Sequence, residues 1–338
     1  MSIRSERKEE HLALAQMFFD EKKKNYFDQM HLLRPALPEK KADLNTIKTE
    51  MFGKSLSAPF FINAMTGGSE KSRKVNRALG IISEKQKIAL ALGSSSILVK
   101  ENNQLESFYI AREENPHGVL IANVNPLTPF KDAIRIVNEL QADALQIHIN
   151  TIQEIAMPEG ERDFHWLDSM REIRDHLDLP IVVKEVGFGI DYSTIQLLKR
   201  EHFDLIDIAG SGGTNFAQIE NGRNQRDVSY LQDLGLPTVV TALMAKKANA
   251  NFIVSGGVRT PLDVLKGLAL GGKYVGIANV FLQEYMQNGE KALLELIQNW
   301  KIELANLLAI YGLDSLRDAI QLQRYYDFPL KNIIDQLV

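Results

Sequence analysis

The sequence predicts an α/β fold, a (β/α)8 TIM barrel with an N-terminal helical extension and C-terminal helices. Eight short apolar runs recur along the 338-residue chain, each followed by a Gly-, Ser- or Asn-rich turn and then by a helix-like stretch. The runs are apolar on both faces, which is typical of strands buried in a parallel sheet. Eight consecutive strand–helix units favour a barrel over an open doubly wound sheet, which is the alternative.

The elements and their boundaries follow from these runs. The predicted strands are Pro59–Ala64, Ile88–Leu92, Val119–Val124, Ala144–Ile149, Ile181–Val186, Leu205–Ala209, Phe252–Ser255 and Tyr274–Ile277. The helical stretches between them include Lys131–Gln141, Phe164–His176 and Ser193–Glu201. We expect one catalytic domain made of three segments: residues 1–57, the barrel at 58–280, and two or three C-terminal helices at 281–338. The first segment is predicted to hold a helix from Arg7 to Asp28 and a Pro-containing connector from Leu33 to Pro38.

Composition narrows the class of protein. With 45% hydrophobic and 24% charged residues, the composition is that of an ordinary soluble globular protein. Its net charge of −4 provides no global basic field for nucleic acid. The absence of cysteine excludes disulfides, Cys-ligated metals and a thiolate nucleophile. The charged start of the chain is no secretory signal, and no apolar stretch approaches the ~20 residues that span a bilayer. We therefore expect a cytoplasmic protein without a membrane partner.

Polar residues follow the predicted strands, where a barrel carries its active site. Turn geometry alone explains Gly, Ser and Asn in any single loop. It does not explain a lysine, a histidine and a Gln–Glu pair among eight such loops, so these loops are predicted to be functional. The segments are Met65–Gly68, Gly93–Ser96, Asn123 with Asn125, His148–Glu154, Lys184 with Glu185, Ser211–Thr214, Ser255–Arg259 and Gly276–Asn279.

The seventh and eighth loops, Ser255–Arg259 and Gly276–Asn279, predict a phosphate site. Glycine lets backbone N–H groups approach phosphate oxygens, and a helix N-terminus adds partial positive charge. Barrels often hold a phosphate at these two loops. Thr214 is placed to add a hydroxyl, and Arg259 to add positive charge to the phosphate or to an attached ring system. The alternative is that the glycines serve tight turns only.

Lys184 ends an apolar run and is predicted to point at the barrel mouth. One interpretation is a Schiff-base lysine. Another is a fixed positive charge beside N1–O2 of a reduced flavin. A third is a buried ion pair with Glu185 or another carboxylate.

Taken together, these motifs closely resemble those of the type 2 isopentenyl-diphosphate isomerase family over essentially the whole chain. The resemblance implies FMN, Mg²⁺ and NADPH as the reductant, with interconversion of isopentenyl and dimethylallyl diphosphate and no net redox change. It also implies a homo-oligomer, a tetramer or octamer. The segments that carry it are Arg7-Lys8-x-x-His11, Asn63–Gly68, Gly93–Ser96, His148-x-Asn150-x-x-Gln153-Glu154 with Met157–Phe164, Lys184–Gly187, Gly212–Thr214 and Ser255–Arg259.

The resemblance also implies roles for single residues. Gln153, Lys184 and His148 would be the catalytic positions, and Glu154 would bind the metal. Arg7 and Lys8 would hold the diphosphate, either within one chain or from a neighbouring subunit. One departure is Phe216, where many relatives carry Trp. The substrate positions would be Arg7, Lys8, His11, His148, Asn150 and Gln153, and the FMN positions Met65, Thr66, Gly67, Ser95, Asn123, Lys184, Thr214, Gly257, Arg259, Ala278 and Asn279.

From the residues alone, several of these roles have plainer alternatives. His148 lies in an apolar run and is equally a core or supporting residue. The face shared by Arg7, Lys8 and His11 is compatible with a solvated helix surface. Gln153 and Glu154 fit a first helical turn without a metal.

Three other functions stay open at this stage. The main one is an FMN-dependent 2-hydroxy-acid oxidase or dehydrogenase, although such an enzyme needs a strand-end base, usually histidine, and the loop Gly210–Asn215 has none. The others are a Schiff-base lyase and a non-catalytic phosphate-binding barrel.

Overall fold

The computed structural model describes residues 3–20, 23–203 and 205–338, with side chains described from residue 8 onward in these ranges. The strands are β1 (Met30–Leu32), β2 (Thr49–Met51), β3 (Lys54–Leu56), β4 (Phe60–Ile62), β5 (Leu90–Ala91), β6 (Leu120–Val124), β7 (Ala144–His148), β8 (Ile181–Lys184), β9 (Leu205–Asp207), β10 (Phe252–Ser255), β11 (Tyr274–Ile277) and β12 (Arg324–Tyr326).

The helices alternate with these strands through the middle of the chain. They are α1 (Ile3–Met17), α2 (Glu70–Gln86), α3 (Glu106–Glu114), α4 (Phe130–Glu139), α5 (Thr151–Ala156), α6 (Leu167–His176), α7 (Tyr192–Arg200), α8 (Phe216–Arg223), α9 (Thr238–Lys247), α10 (Pro261–Ala269), α11 (Asn279–Ile310) and α12 (Leu330–Leu337). Short 3-10 turns lie at Tyr26–Gln29, Leu44–Ile47, Ser96–Val99, Asn102–Gln104, Ser229–Leu231 and Leu316–Gln321.

The predicted barrel is confirmed. Strands β4 to β11 are parallel and close on themselves, with β11 pairing β4. Each of the eight lies within one of the predicted apolar runs, so the alternative of an open sheet is excluded. Among the described residues, no helix is long and apolar enough to cross a bilayer.

The interior of the barrel has an apolar lower layer and a polar upper layer. Phe61, Ala91, Ile121, Val182 and Ile253 pack together in one buried cluster. Met51 and Leu56 of the β2–β3 hairpin join this cluster, and the hydroxyl of Tyr274, at the start of β11, donates to the Glu50 carbonyl. The hairpin therefore closes the end opposite the strand C-termini. Because strand side chains alternate in direction, the next inward positions form the upper layer, which is polar: Asn63, Asn123, Gln146, Lys184, Asp207 and Ser255.

The N-terminal helix differs from the prediction. Helix α1 ends at Met17 instead of continuing to Asp28. A separate 3-10 turn follows Asn25, and a capping box defines its start: the Asn25 side chain accepts from the Phe27 N–H, and the Asp28 carboxylate accepts from the Asn25 N–H.

The C-terminal segment holds helices, as predicted, and also a strand. Helix α11 begins directly after β11 and bends at Gly289, whose φ is 85°. Beyond it, β12 pairs antiparallel with β1, so the N-terminal and C-terminal segments meet beside the barrel.

Candidate active site

A cavity of about 850 Å³ opens at the C-terminal ends of the barrel strands. All eight strand-end loops contribute to its wall, and α1 covers part of the mouth with Lys8, His11, Leu12 and Ala15. The volume lies in the usual range for a cofactor or ligand pocket.

Most of the predicted site residues line this one cavity. Lys8 lines it from the same chain. Gly67 and Ser95 lie behind the lining: the α-carbon of Gly67 faces the Phe108 ring, and Ser95 is fully buried. The Arg7 side chain lies outside the described residues. The lining residues are Lys8, His11, Met65, Thr66, Asn123, His148, Asn150, Gln153, Glu154, Lys184, Thr214, Gly257, Arg259, Ala278 and Asn279.

The glycine loops after β9 and β10 pack against each other without side chains. A Cβ on Gly256 would lie 2.0 Å from the Gly210 carbonyl oxygen, and one on Gly257 would lie 2.7 Å from that of Gly212. Both Gly256 and Gly257 have positive φ, 93° and 79°. Backbone groups therefore form this part of the wall, and α11 starts beside it at Ala278 and Asn279. Glycine backbone beside a helix N-terminus suits a phosphate group.

Arg259 does not present a free charge to these loops. Its guanidinium donates to both carboxylate oxygens of Asp28, at 3.1 and 2.7 Å, and to Asp263 Oδ2 at 3.2 Å. Arg259 also lines the cavity, so the expectation that it adds positive charge to a phosphate or to an attached ring system stays a prediction. Two carboxylates already neutralise it, and it fastens the N-terminal segment to the loop after β10. At the same rim, Asn25 Nδ2 donates to the carbonyls of Gly257 (2.7 Å) and Gly212 (3.3 Å).

Lys184 lies in a buried ion pair and also lines the cavity. Its ammonium is 3.2 Å from Asp207 Oδ2 and donates to the backbone carbonyl of Glu185 at 2.8 Å. Asp207 is completely buried and Lys184 nearly so. Of the partners that the sequence left open, the structure therefore selects Asp207, one strand away, and not the Glu185 carboxylate.

The Glu185 carboxylate is held by a turn. It accepts the backbone N–H groups of Gly187, Phe188 and Gly189 at 2.7, 2.5 and 3.2 Å. Burial nevertheless raises the pKa of Glu185 to about 7. Its role is to shape the loop after β8.

Glu220 on α8 holds the cavity residues Gln153 and His11 in place, and the sequence interpretation missed it. Its side chain has no exposed surface. It accepts from Gln153 Nε2 at 3.0 Å, pairs with Arg223 at 2.6 Å, and lies 2.8 Å from His11 Nε2. Burial alone would raise the pKa of Glu220, but hydrogen bonding and charge from these neighbours bring it below its ordinary value. The signal available in the sequence was its position one helical turn after Phe216.

Gln153 and Glu154 lie side by side on the first turn of α5. Asn150 Nδ2 donates to Gln153 Oε1 at 3.3 Å and to Glu154 Oε1 at 3.0 Å. The other Glu154 oxygen accepts the Glu161 N–H at 2.8 Å. Within the described ranges no group of three or more His, Asp or Glu side chains is arranged to hold a metal. A cation at Glu154 would therefore need further oxygens from its ligand and from water.

His148 stays neutral at the cavity wall. Burial lowers its pKa to about 3, the positive charges of Lys8 and Lys184 act in the same direction, and a backbone hydrogen bond with Val124 opposes them. Its Nδ1 lies 2.7 Å from Asn123 Oδ1.

Comparison with known proteins first defines the class. A family model described as FMN-dependent dehydrogenase matches residues 133–323. Solved structures of mandelate oxidase have the same fold: one with benzaldehyde has a TM-score of 0.64 at 15% identity and covers 94% of this chain and 90% of that chain. Another, with an FMN monooxide adduct, has a TM-score of 0.62 over 94% and 92%. The chain is thus a member of the FMN-dependent barrel proteins.

Curated relatives narrow this class. Isopentenyl-diphosphate delta-isomerase of Limosilactobacillus reuteri is 40% identical over 94% of this chain and 93% of that protein. The proteins of the same name from Latilactobacillus sakei and Lactococcus lactis are 38% and 36% identical over 93% and 99% of this chain, and cover 91% and 98% of their own lengths. The chain belongs to the type 2 isopentenyl-diphosphate delta-isomerase family.

Proposed function

We propose that this chain interconverts isopentenyl diphosphate and dimethylallyl diphosphate, with reduced FMN, a Mg²⁺ ion carried on the diphosphate, and NADPH as the reductant of the flavin. The observation that carries the proposal is the 40% identity to an isopentenyl-diphosphate delta-isomerase over 94% of the chain. The cavity supports it, because a glycine-lined rim lies on one side and Lys8, His11 and Glu154 lie on the other.

The FMN phosphate is proposed to lie on the rim formed by Thr214, Gly257, Ala278 and Asn279. Reduced FMN would supply the acid–base group, since its N5 can give or take a proton over an alkene. Lys184 would hold a fixed positive charge beneath the ring edge that carries negative charge in the reduced flavin. The remaining proposed contacts are Met65, Thr66, Gly67, Ser95, Asn123 and Arg259, of which Arg259 would act by closing the rim with Asp28.

The diphosphate is proposed to lie between α1 and α5. Lys8, together with Arg7, would bind its oxygens, and Glu154 would supply one carboxylate to Mg²⁺, which prefers oxygen ligands and keeps several waters. The amide of Gln153 has a fixed direction: its nitrogen donates to Glu220, so its oxygen faces Asn150. His11, Asn150 and His148 complete the predicted substrate contacts.

The protein side chains mainly position the substrate and exclude water. The rings of Phe216 and His11 form a T-shaped contact with centroids 6.1 Å apart, and Leu12 and Trp166 add apolar surface to the cavity wall. A carbocation-like transition state needs such a dry site, because water would trap the cation. We also expect a homo-oligomer.

The test is an anaerobic conversion assay with FMN, Mg²⁺ and NADPH, each omitted in turn. We expect isomerisation only when reduced flavin and Mg²⁺ are both present. Replacement of FMN by 5-deaza-FMN should abolish turnover without abolishing cofactor binding. Undiminished turnover with the deaza analogue would refute the acid–base role of the flavin.

The fold likeness to mandelate oxidase raises one alternative, oxidation of a 2-hydroxy acid. Against it, the loop Gly210–Asn215 after β9 contains no histidine. Bleaching of oxidised flavin by mandelate or lactate under anaerobic conditions would favour this alternative, and an unchanged flavin spectrum would exclude it for these two acids.

A further inference from the structure

A row of buried amides crosses the floor of the cavity from Asp207 to His148. Its members are the upper-layer residues Asn63, directly after β4, Gln146 on β7 and Asn123 on β6, and all three have almost no exposed surface. The catalytic roles predicted for Gln153, Lys184 and His148 do not explain why three neutral amides lie buried next to one another. Burial of an amide costs free energy unless its donor and acceptor are both hydrogen-bonded. Since the nitrogen of an amide donates and its oxygen accepts, the partners of each amide show which way it is turned.

The direction of the row is set at Asp207. Its carboxylate, paired with the ammonium of Lys184, can only accept hydrogen bonds. Asn63 must therefore turn its nitrogen toward Asp207, and Nδ2 donates to Oδ2 at 2.8 Å. The Ala64 N–H independently fixes the other end of this amide, because it donates to Asn63 Oδ1 at 2.8 Å.

The orientation of each following amide is fixed by its hydrogen bond to the amide before it. Asn63 Oδ1 accepts from Gln146 Nε2 at 3.4 Å, the longest bond of the row. Gln146 Oε1 then accepts from Asn123 Nδ2 at 2.9 Å. Asn123 is left with its oxygen toward His148 Nδ1, at 2.7 Å. Since an amide oxygen can only accept, Nδ1 of His148 must carry the hydrogen.

We propose that Asn63, Gln146, Asn123 and Asp207 are positioning residues that fix His148 as the Nδ1–H tautomer, so that its Nε2 meets the ligand as a hydrogen-bond acceptor. This inference rests on the proposed function only for the identity of that ligand. A neutral acceptor at this place suits a donor such as a metal-bound water, a protonated phosphate oxygen or an ammonium, and it disfavours a direct contact with an ionised phosphate oxygen.

A second observation indicates that neighbouring residues accommodate this row of hydrogen bonds. Gly276, at the end of β11, has no room for a side chain, because a Cβ there would lie 2.4 Å from Asn63 Nδ2. The glycine that the sequence suggested for a phosphate turn thus also makes space for the first amide. Ser255 Oγ donates to the second carboxylate oxygen of Asp207 at 2.5 Å, so the carboxylate is held from both sides.

The tautomer can be measured directly. The FMN-loaded protein is labelled with ¹⁵N-histidine, and long-range ¹H–¹⁵N correlation at pH 7 distinguishes Nδ1–H from Nε2–H imidazole. The His148 signals are assigned by their loss in His148→Gln. We expect the neutral Nδ1–H form in the native protein.

Two substitutions of Gln146 distinguish an effect of the hydrogen-bonded row from an effect of side-chain packing. Gln146→Leu removes both bonds at nearly constant volume, so the Nδ1–H form should give way to a mixture. We expect kcat/KM to fall by about tenfold, the lower end of the loss seen when a group that orients a ligating histidine is removed. Gln146→Glu keeps an acceptor toward Asn123 Nδ2 and should retain the Nδ1–H form. Ser83→Ala serves as the control, because it removes another buried hydrogen bond, to the Ile88 carbonyl, on α2 outside the barrel interior; it should leave the tautomer unchanged.

The proposal is overturned if native His148 carries its hydrogen on Nε2, or if Gln146→Leu leaves the tautomer unchanged. If Gln146→Leu does not fold, the native spectrum still tests the proposal, because hydrogen on Nε2 of native His148 alone would overturn it. Because the spectra require no turnover, a protein that fails the isomerase assay can still show the tautomer, and the two failures are distinguishable.

Discussion

Removal of the Asp207 charge should destabilise the protein by a predictable amount. Asp207→Asn keeps the shape of the side chain but leaves the nearly buried ammonium of Lys184 beside a neutral amide. Breaking a buried ion pair on one side typically costs about 3–5 kcal/mol. Unfolding entropy near 60 °C is about 2.1 cal/mol/K per residue, which for 338 residues gives about 0.7 kcal/mol/K. The midpoint of thermal unfolding should therefore fall by about 4–7 °C.

The measurement uses the apoprotein, followed by circular dichroism, so that loss of flavin does not add to the effect. Lys184→Met and the double variant complete a double-mutant cycle. In the double variant no ammonium is left to desolvate, so its midpoint should lie above that expected from adding the two single effects. A fall of less than about 1 °C for Asp207→Asn, or strictly additive effects, would show that the pair is not electrostatically coupled.

Three further predictions concern the site and its supporting loops. Glu220→Gln should lower kcat/KM by about 10- to 100-fold, because Gln153 loses its charged partner and a small displacement is costly; an unchanged value in steady-state kinetics would contradict this role. Gly257→Ala should raise the Kd for FMN at least about tenfold in a fluorescence titration, whereas the control Gly53→Ala, also at positive φ but with nothing within 4 Å, should not. The pKa of Glu185 in the folded protein is about 7, above its ordinary value of 4.5, so the folded state binds this proton more tightly than the unfolded state. The resulting contribution to the free energy of unfolding is complete below pH 4.5 and is lost as the pH rises through 7. Glu185→Gln should therefore gain stability relative to the native protein between pH 4.5 and 7, as measured by urea unfolding at each pH; a pH-independent difference would contradict this.

The sequence alone determined the barrel, its eight strands and the place of the site. These depend on local properties: apolar runs of strand length, their regular alternation with helices, and glycine-rich turns at the strand ends. In a closed parallel barrel all strand ends meet at one rim, so residues as distant as His148, Lys184 and Gly257 could be placed together without knowledge of any particular contact. The family resemblance named the same residues.

Only the tertiary structure decided the partners of the charged and amide groups. Arg259 was predicted to add positive charge to a phosphate or to an attached ring system, and only the structure shows that its guanidinium also binds Asp28, 231 residues away. The carboxylate that holds Gln153 comes from Glu220, 67 residues further along the chain, and the amide of Asn63 meets Asp207 across 144 residues. A buried polar group takes the partner that the fold brings within about 3 Å, and sequence periodicity carries no information about which distant group that is. The pattern of apolar residues fixes where strands lie, whereas hydrogen-bond direction and charge pairing exist only once the barrel has closed.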